Sequence, residues 1–427
     1  MIEIPYSGTL NITDEGLDFR SIVQANAELS QIQDIDILLE RILFMARKVV
    51  NADAGSIYVR HTATEEGEAD DKLFIKYAQN DTLQKSLPPG QKQLYSQFSV
   101  PMDDKSISGY CASTKKMINI SDMYNIPDDT PYTFNSSFDK LAGYKTTSSL
   151  TFPLVSEERL LGVIQVINRM DKQGSVIPFS NEDELVLTNF AANATSAMQR
   201  AYITRAMILR MIKMSELRDP AETGTHVNRV AGYAVEIYDR WAYKKKIPYA
   251  ERVNFRDILR IGAMLHDVGK VAISDAILKK PGRFTPQEFN IMKGHTLYGA
   301  SLFSNPMSPI DKIARDITLT HHEDWDGNGY PGWVDLVTHA PIKVDADGKP
   351  LGRKGEEIPL AGRIVAIADV FDALSSKRVY KDAWSEEQVL DEMRKLSGTK
   401  FDPELVDIFF DILPVIRHTS KLYSEEH

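Results

Sequence analysis

The chain has 427 residues, a formal net charge of −10 and a pI near 5.5. This length exceeds what one hydrophobic core usually organises, so we expect two domains. The acidic balance argues against a nucleic-acid polymer as partner, because such a partner generally requires an excess of Lys and Arg. The single Cys111 excludes an intramolecular disulfide and a cysteine-built zinc site, and it suits a reducing compartment.

Residues 1–26 are polar and rich in turn-forming residues, and they are predicted to be a short extension. They lack the basic and apolar regions of a secretion signal. No apolar run approaches the roughly 20 residues of a membrane span. We therefore expect a cytoplasmic protein without a membrane partner.

The following 150 or so residues alternate between helix and strand patterns. Apolar residues at helical spacing follow Asp34, and a long polar loop is predicted over 121–135. Strand patterns occur at 54–59, 73–77, 148–155 and 160–168, the last two joined by a hairpin turn at 156–159. This order predicts an α+β domain with an antiparallel sheet.

The order of these elements resembles a GAF domain over residues 27–200. The sharpest likeness is Asn168-Arg169-Met170 followed by Phe179 and Asp183-Glu184, which resembles the Asn-Lys-Phe-Asp-Glu signature of cyclic-nucleotide-type GAF domains. The resemblance implies an ion pair between Arg169 and Asp183 that attaches the sheet to the next helix. A small ligand bound by this domain is the alternative reading of the motif.

Residues 181–218 contain neither Gly nor Pro. A helix of that length would extend roughly 55 Å, which is too long for one small domain, so it is predicted to connect the two. Its apolar residues form a broad stripe that suits helix pairing in a homodimer. Packing against its own domains would explain part of the same stripe.

Five of the nine histidines lie in the C-terminal half near carboxylates. The pattern consists of Glu222-x-x-x-His226, His266-Asp267, His295, His321-His322 and Asp369. Imidazole and carboxylate are ligands that divalent first-row metals prefer. Burying such groups without partners would be unfavourable, and a metal ion offsets that penalty.

In their fixed order, the segments HDVGK, KGHTLYGA, HHEDWDGNGYP and IADVFDALSS make residues 205–427 resemble an all-α HD-GYP domain, whose relatives hydrolyse bacterial cyclic dinucleotides. The resemblance implies one metal site formed by His226, His266, Asp267 and Asp369. Asp267 would bridge to a second ion held by His295, His321 and His322, and Glu222 would add a third. Iron or manganese is expected before zinc because the set contains no sulfur.

The same resemblance assigns roles around the metals. Lys270 would stabilise negative charge on the phosphoryl oxygens, with a solvated helix-end lysine as the alternative. Arg378 and Lys381 would contact the second phosphate and guanine. Tyr330 belongs to the Gly-Tyr-Pro turn beside the substrate, and Asp372 would either orient a ligand or cap the substrate pocket.

Two departures from the family pattern leave substrate preference open. Residues 332–357 form an insert that could overhang the site or mediate a contact, and 376–381 lack the Asp and Pro common around the arginine. We expect cyclic di-GMP to be hydrolysed to pGpG, with GMP as a further product left open. The alternatives are a cyclic GMP-AMP phosphodiesterase, another HD-superfamily nucleotide phosphohydrolase, and a non-enzymatic adaptor that responds to a ligand.

Overall fold

The computed structural model describes residues 25, 27–60, 72–88, 98–216, 224–346, 348–376 and 384–423. The chain divides into two compact units, residues 1–203 and 204–427. The first contains the sheet and the second is built from helices, so the predicted fold class is confirmed.

The N-terminal unit begins, after a short helical segment at 27–31, with helix α1. Asp34 caps this helix, since its carboxylate accepts hydrogen bonds from the backbone N–H groups of Asp36 and Ile37. The other helices of this unit are short and lie between strands. Their bounds are α1 Ile35–Val49, α2 Asp81–Lys85, α3 Ile107–Thr114 and α4 Ser137–Ala142.

Seven strands form one antiparallel sheet within the described part of this unit. They are β1 Ala52–Arg60, β2 Lys72–Asn80, β3 Ser99–Pro101, β4 Ile118–Ile120, β5 Ser149–Ser156, β6 Arg159–Met170 and β7 Val176–Ile177. Their order is β3-β2-β1-β6-β5-β4, and β7 pairs with β6. The β5–β6 turn has Glu157 and Glu158 at positive φ, as a tight two-residue hairpin requires. The predicted strands and hairpin are confirmed.

The end of the sheet is tied to the next helix by an ion pair. Nε of Arg169 on β6 lies 2.7 Å from Oδ2 of the buried Asp183. The same oxygen accepts hydrogen bonds from the backbone N–H and hydroxyl of Ser180, which caps the helix start. The predicted contact between Arg169 and Asp183 is therefore present.

Helix α5, Asn181–Glu216, runs for 36 residues and contains the boundary between the two units. The predicted long helix is confirmed over this range, and residues 217 and 218 lie outside the described residues. Apolar side chains at Leu185, Ile203, Met207 and Met214 are exposed along it.

The C-terminal unit packs its helices around one large apolar core, to which α6, α7, α11 and α12 all contribute. Capping boxes at Thr285 and Ser308 start two of the helices. The helices are α6 Gly224–Lys244, α7 Tyr249–Met264, α8 Asp275–Leu278, α9 Pro286–Lys293, α10 His295–Ser301, α11 Pro309–Thr320, α12 Leu360–Ser375, α13 Glu386–Lys395, α14 Pro403–Asp411 and α15 Leu413–Leu422.

Candidate metal centre

All but one of the metal-ligand candidates lie at or next to the ends of helices of the C-terminal unit. His226 is in the first turn of α6, and His266 and Asp267 follow the last turn of α7. The others are His295 at the start of α10, His321 and His322 directly after α11, and Asp369 within α12. Helices that pack on one core thus bring distant parts of the chain to one place.

These side chains form two clusters. Ligand atoms of His226, His266 and Asp369 lie within 4.8 Å of one another, and so do those of Asp267, His295, His321 and His322. The two clusters meet where His266 and Asp267 are neighbours in sequence. The sequence analysis divides these residues in the same way, and their role as metal ligands stays a prediction.

Asp267 lies at the centre of the arrangement. Its Oδ2 is 3.1 Å from Nε2 of His266, and its Oδ1 is 3.1 Å from Nε2 of His295 and 3.5 Å from Nε2 of His321. A carboxylate with one oxygen directed to each cluster has the geometry of a bridging ligand.

Backbone carbonyls set the orientation of three of the imidazoles. Nδ1 of His266, His295 and His321 lies 2.8, 2.7 and 3.0 Å from the carbonyl oxygens of Ala263, Met292 and Ile317. A carbonyl can only accept a hydrogen bond, so each Nδ1 must carry the proton and each neutral ring keeps its lone pair on Nε2. Metal-ligating histidines are typically oriented in this way.

Several of the inward-facing atoms are buried without a hydrogen bond. Nε2 of His295, Nε2 of His321 and Oδ1 of Asp267 have no partner in hydrogen-bond geometry within the described residues. Buried polar atoms are rarely left in this state, because an unsatisfied group loses its hydration without compensation. Nitrogen and oxygen donors directed at a common point fit a divalent cation.

His226 is held by a carboxylate instead of a carbonyl. Its Nδ1 lies 2.8 Å from Oδ2 of Asp372, and its Nε2 lies 3.6 Å from Oδ1 of Asp369. Arg229, one turn along α6, donates hydrogen bonds of 2.6 and 3.0 Å to the two oxygens of Asp372. Asp372 is buried and occupied on both oxygens, so the structure favours its predicted role in orienting a ligand over contact with substrate.

The electrostatics of the site favour the protonation states that ligands need. Burial lowers the pKa of His321, and burial together with the neighbouring imidazoles lowers that of His322 well below the usual histidine range. Burial by itself raises the pKa of Asp267, but the Lys270 ammonium and His266 bring it well below the ordinary value. Neutral imidazoles and an ionised carboxylate are the forms that bind metal.

Lys270 lies on a short 3₁₀ helix, Val268–Ala272, that follows the His-Asp pair. Its Nζ is 2.9 Å from Oδ2 of Asp267, and the side chain is 19% exposed. The predicted lysine therefore borders the cluster and is accessible from outside. This is where an ammonium group could contact a substrate anion.

Two glycines permit the close backbone packing around the site. A Cβ on Gly269 would lie 2.0 Å from the carbonyl oxygen of His295, and one on Gly329 would lie 2.1 Å from the backbone nitrogen of Asp324. Neither contact is possible for a larger residue. Gly269 therefore allows the segment after the His-Asp pair to pack against α10, and Gly329 allows the turn that carries Tyr330 to pack against Glu323 and Asp324.

Tyr330 packs directly on the ligand cluster. Its ring stacks on the imidazole of His322, with the centroids 4.9 Å apart and the planes inclined by 25°. Its backbone N–H donates to the carbonyl of His322 at 3.0 Å. The predicted substrate contact thus lies beside the metal centre, with its ring partly exposed.

Glu323 anchors the 332–357 insert to the same turn. Its buried carboxylate accepts hydrogen bonds from the backbone N–H of Gly332 at 2.7 Å and of Arg353 at 3.1 Å. Burial raises the pKa of this carboxyl to about 7. The two ends of the insert are therefore fixed next to His322.

Three predicted site residues lie outside the described residues: Glu222, Arg378 and Lys381. Two others with clear roles were missed. Arg229 lies one turn after His226, so its position on the same helix face was a signal. Glu323 directly follows the His-His pair, but its two backbone partners are apparent only in the folded chain.

Known protein families account for most of the chain. Residues 34–198 match the family model described as the GAF domain, and residues 223–374 match that described as the HD domain. The chain carries a GAF domain followed by an HD domain. This confirms the two resemblances at the level of those families, and the two ligand clusters lie in the HD domain.

Several relatives of this chain are named as phosphodiesterases. A 3'3'-cGAMP-specific phosphodiesterase of Vibrio cholerae is 40% identical over 190 residues, or 44% of this chain and 31% of the relative. A probable cyclic di-GMP phosphodiesterase of the same organism is 37% identical, covering 48% and 43%. A cyclic di-GMP phosphodiesterase of Thermotoga maritima is 38% identical, covering 48% of each chain. The chain thus spans less than half the length of these relatives.

No helix in the described ranges is both long enough and apolar enough to cross a membrane.

Proposed function

We propose that the HD domain is a metal-dependent phosphodiesterase that opens the ring of a cyclic dinucleotide, with cyclic di-GMP and its product pGpG as the leading case. The observation that carries this proposal is Asp267, whose two oxygens face two separate clusters of ligand candidates. Such an arrangement suits a pair of metal ions that act on one phosphodiester.

His226, His266 and Asp369 would hold one ion, His295, His321 and His322 the other, and Asp267 would contact both. When bound, the ions would supply Lewis-acid catalysis, lowering the pKa of a water molecule and offsetting negative charge on the phosphoryl oxygens. The ligands fit iron or manganese better than zinc. Glu222 would complete a third site, so Glu222→Ala should lower the metal content by about one equivalent in that case.

The protein's own side chains would position and neutralise the substrate. Lys270 borders the cluster and would donate a hydrogen bond to a non-bridging phosphoryl oxygen as its charge increases. Asp372 and Arg229 keep Nε2 of His226 directed into the site. Arg378 and Lys381 would bind the second phosphate and a guanine.

The relatives are named for two substrates, cyclic di-GMP and 3'3'-cGAMP, and we consider both for this chain. The test is to incubate metal-loaded protein with cyclic di-GMP, cyclic GMP-AMP and dGTP and to identify the products. Hydrolysis of dGTP alone would favour a general nucleotide phosphohydrolase. No turnover of any of the three, with full metal occupancy, would favour a ligand-responsive adaptor.

We also propose that the GAF domain regulates the HD domain through α5 and that the protein works as a homodimer. The support is the uninterrupted helix between them and the exposed apolar residues along it. A ligand of the GAF domain would have to bind two catalytic states with different affinity. Inserting four residues in mid-helix would rotate one end by roughly 40°. Unchanged basal activity and oligomeric state in that variant would contradict this part of the proposal.

A further inference from the structure

Helix α9 presents an aromatic ring and an ammonium group beside the metal centre. Phe289 and Lys293 are four residues apart, so they share one face of the helix. Nζ of Lys293 lies 4.9 Å from the ring centroid of Phe289 and 5.1 Å from that of Tyr330. The rings of Phe289 and Tyr330 meet edge to face, with centroids 6.2 Å apart. We call Phe289, Lys293 and Tyr330 the α9 platform.

The α9 platform contacts the ligand cluster through Tyr330 and lies next to it in sequence through Lys293. Tyr330 stacks on His322, as described above. Lys293 precedes Gly294 and His295, and its carbonyl accepts a hydrogen bond from the Thr296 hydroxyl at 2.9 Å. A molecule bound at the metal centre would therefore have the platform as its neighbour.

Packing within the fold does not explain the platform. Helix α9 has no buried residue, and Phe289 is 43% exposed. A Phe–Lys pair at this spacing can stabilise an isolated helix, but Lys293 also contacts Tyr330 from a different segment. Across the described residues, the contacts of this ammonium group are with those two ring faces, which leaves its hydrogen-bonding capacity for another partner.

We propose that the α9 platform binds a guanine base of the substrate, an inference that rests on the proposed function. An exposed aromatic ring can stack on any base. An ammonium group has donors and no acceptor, whereas guanine offers O6 and N7 as acceptors on one edge and adenine offers N7 beside a donor amine. Lys293 therefore selects guanine over adenine at this position.

This assignment predicts the substrate range of the site. Cyclic di-GMP and cyclic GMP-AMP each contain a guanine for the platform, but cyclic di-AMP does not. The enzyme should therefore hydrolyse the third poorly compared with the first two. Any preference between the first two depends on the base at the other end of the substrate, which the α9 platform does not contact.

The test measures binding of GMP and AMP to the full metal-loaded chain by calorimetry, together with kcat and KM for the three cyclic dinucleotides. Lys293→Met removes the charge and keeps the apolar stem. We expect GMP affinity to fall about tenfold, as for loss of one good base contact, and AMP affinity to change less than about twofold. Phe289→Leu should weaken both, since stacking is insensitive to base identity.

Two control variants match these changes. Lys279→Met removes an exposed lysine paired with Asp275, and Ile291→Ala removes an exposed apolar side chain of α9; neither should alter binding. Equal losses of GMP and AMP affinity in Lys293→Met would overturn the guanine contact and indicate a phosphate contact. No loss in either platform variant would reduce the α9 platform to a structural contact.

The same measurements distinguish failure of the α9 platform from failure of the proposed phosphodiesterase activity. GMP binding that depends on Lys293, without turnover of any cyclic dinucleotide, would support the α9 platform and contradict the phosphodiesterase. Turnover of cyclic di-GMP, cyclic GMP-AMP and cyclic di-AMP at equal kcat/KM would support the phosphodiesterase and overturn the guanine assignment.

Discussion

In the GAF domain the buried carboxylate of Asp183 faces the guanidinium of Arg169, whereas in the HD domain the buried carboxylate of Asp267 faces three imidazole nitrogens and one ammonium group. The first group is satisfied by the protein, since Ser180 adds two hydrogen bonds. Around the second, Nε2 of His295 and Nε2 of His321 converge on Oδ1 without hydrogen bonds within the described residues. A buried charge whose partners come from the fold itself stabilises the fold. Buried ligand atoms that face one another without hydrogen bonds indicate a site for a metal ion.

The largest expected effect is that of Asp267→Ala. Because Asp267 contacts both clusters, the variant should lose bound metal and cyclic dinucleotide turnover together. Metal analysis and product assay of the purified protein measure both quantities. Circular dichroism is the control for folding. A folded Asp267→Ala protein with full metal content and activity would show that the two clusters do not act as one centre.

Lys270→Ala should lower kcat by about 10²–10³-fold, the usual loss when one donor to a developing oxyanion is removed. Its KM should change little if the contact strengthens only in the transition state. Steady-state kinetics of metal-saturated protein provide the measurement, and Lys279→Ala is a matched control on an exposed lysine. A raised KM with unchanged kcat would indicate ground-state binding only.

Asp183→Ala should lower the stability of the GAF domain. Removing this carboxylate leaves Arg169 and the cap at Ser180 without their partner, and we expect the free energy of unfolding of the GAF domain to fall by about 2–4 kcal/mol. Urea unfolding measures this loss. Metal content should not change, because Asp183 lies in the GAF domain and both ligand clusters lie in the HD domain. A loss of metal in this variant would contradict the separation of roles.

Glu323→Gln tests the buried carboxylate that accepts backbone hydrogen bonds from both ends of the insert and whose pKa is raised by burial. The folded-state pKa of about 7 lies above the ordinary glutamate pKa of 4.5, so the folded protein binds the extra proton between these values. The contribution of this group to stability is therefore complete at low pH and lost as pH rises from 4.5 through 7, by about 3 kcal/mol. Glu323→Gln cannot ionise, and unfolding of metal-free protein should depend less on pH in this range. Parallel pH curves for both proteins would contradict the assignment.

Much of the architecture was predictable from local patterns. The apolar spacing after Asp34, the alternation in β5 and β6, and the absence of Gly and Pro from 181 to 216 each depend on neighbouring residues, and the corresponding elements are present. The likeness of Arg169 and Asp183 to a family signature predicted an ion pair that the structure contains. The ligand candidates were also apparent, because two adjacent histidines and a His-Asp pair are unusual beside apolar helices.

Other features depended on contacts between segments far apart in sequence. The division of seven ligand candidates into two clusters follows from how α6, α7, α11 and α12 pack on one core. The ring orientations depend on carbonyls at helix ends, and Arg229 acquires its role only when Asp372 reaches it from another helix. The α9 platform likewise joins Lys293 to a tyrosine in a different loop. The sequence alone determined which side chains are candidates for the chemistry, and tertiary packing determined which of their atoms face one another, because those distances are set by long-range contacts that local patterns do not encode.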